Sequence, residues 1–135
     1  MSSSTPNGLL ADAQKFLVAA ELLRAREGSI SLPGYFLLGR SIELSLKAYL
    51  MRCGVTINIL RRREFGHDLS KLLDKALEKD IRNTVNLSEA DIALIHVLND
   101  DYSTKRYEYK ETGATYSFPL EDATVNVANA LAYDL

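Results

Sequence analysis

The sequence predicts an all-α fold, an up-and-down helical bundle of about five helices, and three observations carry that prediction. Apolar residues recur every three or four positions over several separate stretches, the period of a helix face and not of a strand. Residues that stop or start helices punctuate those stretches: Gly28, Gly54, Asp68, Ser88 and Pro119. The one irregular segment, from Tyr102 to Phe118, alternates aromatic and charged residues around Gly113 and reads as a loop or short hairpin before the last helix.

Taken in order, residues 1–7 are polar and form a loose terminal fringe. From Gly8 to Arg26, Leu10, Ala13, Leu17, Ala20, Leu23 and Ala25 approximate helical spacing, and Glu27-Gly28-Ser29 ends the helix. A second helix starts near Pro33, suited to a first helical turn, and runs to about Cys53, where Gly54 stops it. One face carries Tyr35, Leu38, Ile42, Leu46, Tyr49 and Cys53; the other holds Phe36, Leu37, Leu44 and Met51 around Arg40, Glu43 and Lys47. A helix apolar nearly all round is buried on several sides, so it forms the centre of a bundle or one side of a dimer seam. Its three charges then need partners. Val55 to Gly66 is a connector containing Arg61-Arg62-Arg63-Glu64.

Asp68 is a favoured N-cap for a third helix, with Leu69, Leu72, Leu73, Ala76 and Leu77 on one stripe. Asn83 to Asn86 form a turn, and Ser88-Glu89-Ala90-Asp91 opens a fourth helix in the manner of a capping box. That helix buries Ile92, Ile95 and one of Val97 or Leu98, and fades at Asn99-Asp100-Asp101. Pro119 starts the last helix, with Glu121 and Asp122 complementing its N-terminal dipole and Val125, Ala128, Leu131 and Ala132 on its core face.

The chain of 135 residues makes one domain with a substantial core. Its formal net charge of −2 argues against a surface that coats nucleic acid broadly, while leaving room for a local basic patch. The single cysteine, Cys53, rules out an internal disulfide framework, fits a reducing compartment and is expected as a buried, inert thiol. The polar start at Met1-Ser2-Ser3-Ser4-Thr5-Pro6 is unlike a signal peptide, and no window supplies the ~20 apolar residues of a membrane span. The expected location is cytoplasmic. There is no Gly-rich phosphate loop, no paired-cysteine metal site, no His-Glu-x-x-His helix and no Gly-x-Ser-x-Gly elbow, so neither a metal nor a cofactor is expected.

Chemistry therefore rests on basic, acidic, aromatic and histidine side chains. Arg40, Glu43 and Lys47 make either a simple i, i+4 pair or the lining of a polar pocket or dimer seam. Arg61, Arg62 and Arg63 beside His67 and the helix start at Asp68 make either a compact anion site or a solvated basic turn. Tyr102, Lys105, Arg106, Tyr107 and Tyr109 suit base stacking with backbone contact, and equally suit a loop pinned by tyrosine packing. His96, among Ile92, Ile95 and Val97, is expected as a packed or interfacial histidine.

Three segments in order resemble the HEPN domain family, in its Gly-His-Asp-Leu branch. They are Ser41-Ile42-Glu43-Leu44-Ser45-Leu46-Lys47-Ala48, Gly66-His67-Asp68-Leu69-Ser70-Lys71-Leu72-Leu73, and Tyr102-Ser103-Thr104-Lys105-Arg106-Tyr107. The resemblance implies a helical bundle that usually dimerises. Many members are metal-independent ribonucleases, and others bind nucleotides or partner nucleotidyltransferases. The ribonuclease members place an arginine four to six residues before a histidine, a spacing that Arg61 and Arg62 both satisfy to His67.

The leading expectation is thus a homodimeric domain that binds RNA or a nucleotide phosphate, in a bacterial toxin–antitoxin or defence setting with an antitoxin or nucleotidyltransferase as partner. One alternative is a metal-independent endoribonuclease, in which a ribose 2′-OH attacks the adjacent phosphate, His67 serves as general acid or base and Arg61 or Arg62 stabilises charge on the phosphate. The other is a purely structural dimerisation module.

Overall fold

The computed structural model describes residues 5–62, 65–103 and 119–135. Among these there are six α-helices and one 3₁₀ turn, and no strand. Helix α1 spans Pro6–Glu27; Thr5 caps it by accepting the Gly8 N–H at 3.0 Å, and Gly28, at φ 82°, ends it. It buries Leu9, Leu10, Ala13, Leu17 and Ala20. Ala25, expected on the core face, is exposed, because no buried position follows Ala20 and the last turns extend past the core.

Helix α2, Leu32–Arg52, is the axis of the bundle. Ser31 caps it, Pro33 lies in its first turn, and all ten residues from Ser41 to Leu50 are buried. Helices α1, α4, α5 and α6 all pack against it, which is why its apolar residues run round the whole circumference. Cys53 departs from expectation: it is the C-cap, at the point where the chain leaves the core, and its thiol is exposed. The connector from Val55 to Gly66 contains a short helix, α3 (Ile57–Leu60), capped by Thr56 and anchored by fully buried Leu60.

Helix α4, Leu69–Glu78, buries Leu69, Leu72, Leu73 and Ala76 as its stripe predicts. The 3₁₀ turn Ile81–Asn83 leads towards α5, Glu89–Tyr102, whose Ser88 and Asp91 form a reciprocal capping box. Leu98, not Val97, is the buried member of that pair. Helix α5 also runs on through Asn99-Asp100-Asp101 to Tyr102, instead of fading there. Helix α6, Glu121–Asp134, buries Val125, Ala128, Leu131 and Ala132, with Thr124 and Val127. The expected loop or hairpin after Tyr102, with Lys105, Arg106, Tyr107 and Tyr109, lies outside the described residues, as does Arg63.

Polar side chains fasten the helices to one another. Ser41 Oγ donates to the Ala13 carbonyl at 2.8 Å, Gln14 Nε2 to the Ala132 carbonyl at 2.9 Å, and Tyr35 OH to the Pro119 carbonyl at 2.9 Å. Burial, more than the Glu121 charge, lifts the Tyr35 phenol to about 12, so it stays a donor. Gly39 lets α5 come close: a Cβ there would lie 2.5 Å from the Tyr102 ring.

Candidate functional site

Glu43 is the one acidic side chain in the buried stretch of α2, and it is fully buried. Helical spacing brings two cations to it from its own helix. Arg40 Nη1 and Lys47 Nζ both donate to Oε2 at 2.8 Å. Tertiary packing brings two further groups to Oε1: the Tyr102 hydroxyl at 2.6 Å and His67 Nδ1 at 2.9 Å. Burial pushes the Glu43 carboxyl up, but the Lys47 and Arg40 charges and the hydrogen bonds outweigh it and hold the group below its ordinary range. The same carboxylate, after burial itself, drives the Tyr102 phenol far above its own.

This protonation pattern fixes the histidine. An ionised carboxylate can only accept, so His67 Nδ1 must carry the proton and donate it. In the neutral ring Nε2 then holds the lone pair. The His67 side chain is 44% exposed, and its ring stands edge-on to Tyr102 at 6.4 Å and 86°. A buried anion thus orients a partly exposed imidazole, the arrangement that sets up a general base.

The Gly-His-Asp-Leu start has a physical reason at each position. Gly66 adopts φ 24° in the turn before the helix. Asp68 Oδ1 accepts the Lys71 N–H at 3.0 Å, and Leu69 is wholly buried. Asn99 of α5 clamps the turn from the far side. Its Oδ1 accepts the Leu69 N–H at 2.8 Å, while its Nδ2 donates to Asp68 Oδ1 and Ser70 Oγ, both at 3.0 Å. Asp68, expected among ligand-binding residues, therefore has its carboxylate engaged as a helix cap. Ser70 Oγ in turn lies 2.7 Å from Nδ1 of His96, expected as packed or interfacial and here half-buried.

Beside the Glu43 cluster, between α1, α2 and α3, is a cavity of about 350 Å³. Arg40, Lys47 and Arg61 bring three cations to it; Asp12 contributes a carboxylate, and Leu9, Phe16, Leu44 and Ile57 the apolar wall. The Arg40 guanidinium lies 5.9 Å from the centre of the Phe16 ring, a cation–π contact that steadies it. With Asp12 and Glu43 set against the three cations, one positive charge is in excess before His67 is counted.

The structure thus unites Arg40, Glu43, Lys47, His67 and Tyr102 in one cluster and places Arg61 at the adjoining cavity. Tyr102 is a buried helical residue, not a loop residue. Arg62 is exposed. Sequence reasoning missed Asn99, Gly39, Asp12 and Phe16. A glycine and an asparagine inside helices are the only local signals for the first two, since both types disfavour helix interiors. Among the described residues no group of three or more His, Cys, Asp or Glu side chains is placed to hold a metal ion, and no helix is long and apolar enough to cross a membrane. Comparison with protein-family models, with curated proteins and with solved structures gave no match.

Proposed function

We propose that the chain binds the phosphate groups of RNA or of a nucleotide in the cavity between α1, α2 and α3. The observation that carries this is the convergence of Arg40, Lys47 and Arg61 on one cavity of ligand-accepting size. Glu43 takes a single donor from Arg40 and one from Lys47. A guanidinium has five donors and an ammonium three, so both retain capacity for phosphate oxygens. Phe16 supplies an apolar surface beside them. The likeness to the HEPN family adds the expectations of a homodimer and of a toxin–antitoxin or defence setting.

The test is binding of a fluorescently labelled, 5′-phosphorylated single-stranded RNA, with inorganic phosphate as competitor. Three contacting cations predict a log–log salt slope of roughly −2. Arg61→Glu, at an exposed side chain, should weaken binding at least tenfold, while the remote Arg82→Glu should not. Equal binding by wild type and Arg61→Glu would overturn the assignment.

A second reading is favoured by the His67–Glu43 contact. An imidazole whose Nδ1 is fixed on a buried carboxylate presents Nε2 for proton transfer, as a metal-independent ribonuclease with Arg61 or Arg62 at the phosphate would need. RNA cleavage that persists in excess EDTA and vanishes in His67→Ala supports it; an inert wild type that binds the same RNA leaves binding as the activity.

A further inference from the structure

Helix α1 has two faces that sequence periodicity does not separate. Opposite its core side runs a second row, Ala11, Lys15, Val18, Leu22 and Ala25, spaced 4, 3, 4 and 3 residues apart and exposed at every position. Leu22 is 66% exposed and Val18 46%, and Tyr133 of α6, at 54%, lies beside the row, lining a cavity with Val18. Such spacing is that of a coiled-coil seam. A helix that already has its core face buried has no need of it for its own fold.

We infer that this row is the contact between two copies of the chain, with the two α1 helices packed antiparallel about a two-fold axis near Val18. A two-fold contact needs a row that complements itself, and this one has Val18 at its middle and a small alanine at either end. Ala11 of one copy meets Ala25 of the other, Val18 meets Val18, and the aliphatic stem of Lys15 lies against Leu22. The charges agree with this direction. Asp12 and Arg26 flank the row on the same side at opposite ends, and neither forms an ion pair with any described residue. Antiparallel pairing sets each Asp12 against the other copy's Arg26, twice by symmetry. In a parallel two-fold pair the two Asp12 side chains would lie on opposite faces of the seam and neither would meet an Arg26.

The inference gives a location to the homodimer of the reading above and does not depend on phosphate binding. Sedimentation equilibrium of the full chain tests it. The wild type should be a dimer at micromolar concentration, and Val18→Glu, at an exposed site, should be a monomer with an unchanged helical circular-dichroism spectrum. Asp12→Arg and Arg26→Asp should each weaken the dimer about tenfold, because two attractive contacts become repulsive. The double exchange, Asp12→Arg with Arg26→Asp, should restore it. A monomeric wild type, a dimer indifferent to Val18→Glu, or a double exchange no better than either single one would overturn the proposal. A Val18→Glu monomer that still binds phosphorylated RNA would uphold it and show that the cavity, although it shares Asp12 with the seam, does not need the dimer.

Discussion

Two carboxylates in this molecule hold an arginine at nearly the same distance, and they do very different work. Glu43 is 2.8 Å from Arg40 inside the bundle; Glu89 is 2.9 Å from Arg82 on its surface. The Glu43 side chain is wholly buried and the Glu89 side chain 84% exposed. Water can replace every contact that Glu89 makes and none that Glu43 makes. Distance alone therefore says little about which ion pair matters, and the number of protein groups that substitute for solvent says much.

Neutralising each ion pair in turn should have very unequal effects. Glu43→Gln keeps the shape but leaves Lys47 and Arg40 without their anion, and should lower stability by about 3 kcal/mol in urea unfolding. The acid limb of the stability curve reports the same residue. Because its folded pKa is depressed, Glu43 adds stability that is complete above its ordinary value of 4.5 and is lost as the pH falls through the lower folded value. Glu43→Gln should therefore flatten that limb, and an unchanged slope would sink the assignment. Gly39→Ala comes next. It forces a Cβ against the Tyr102 ring, a clash of about 1–3 kcal/mol set against ~1 kcal/mol of improved helix propensity, so a net loss of about 1 kcal/mol is expected in thermal unfolding. Arg82→Ala should change stability by no more than ~0.5 kcal/mol, with or without added salt.

Much of the architecture is legible in the sequence, for local reasons. Asp68 and Ser88 cap the helices that they were expected to cap, Gly28 ends α1, and the α4 stripe is buried at Leu69, Leu72, Leu73 and Ala76. What escaped depends on tertiary packing. Helix α3 is four residues long, too short for a periodic signal, and is held by the burial of Leu60. Asn99 looked like a helix end because asparagine tends to bond its own backbone; here its amide bonds the start of α4, and α5 continues. The i, i+3 and i, i+4 contacts of Glu43 with Arg40 and Lys47 were readable, whereas its union with His67 and Tyr102 needed the fold. Cys53 shows the opposite limit: it continues an apolar row in sequence but falls where the chain turns outwards.

The four partners of Glu43 also imply an order of events in time. Arg40 and Lys47 are three and four residues away and can meet the carboxylate as soon as α2 winds up. His67 is 24 residues away and Tyr102 59, and closing the longer loop costs about 2 kcal/mol more chain entropy than the i, i+4 contact. The tyrosine should therefore arrive late, after the rate-limiting barrier. Tyr102→Phe is then expected to leave the refolding rate almost unchanged and to speed unfolding, so that the hydroxyl of this residue acts as a latch on how long the folded chain lasts, with little influence on how quickly it forms.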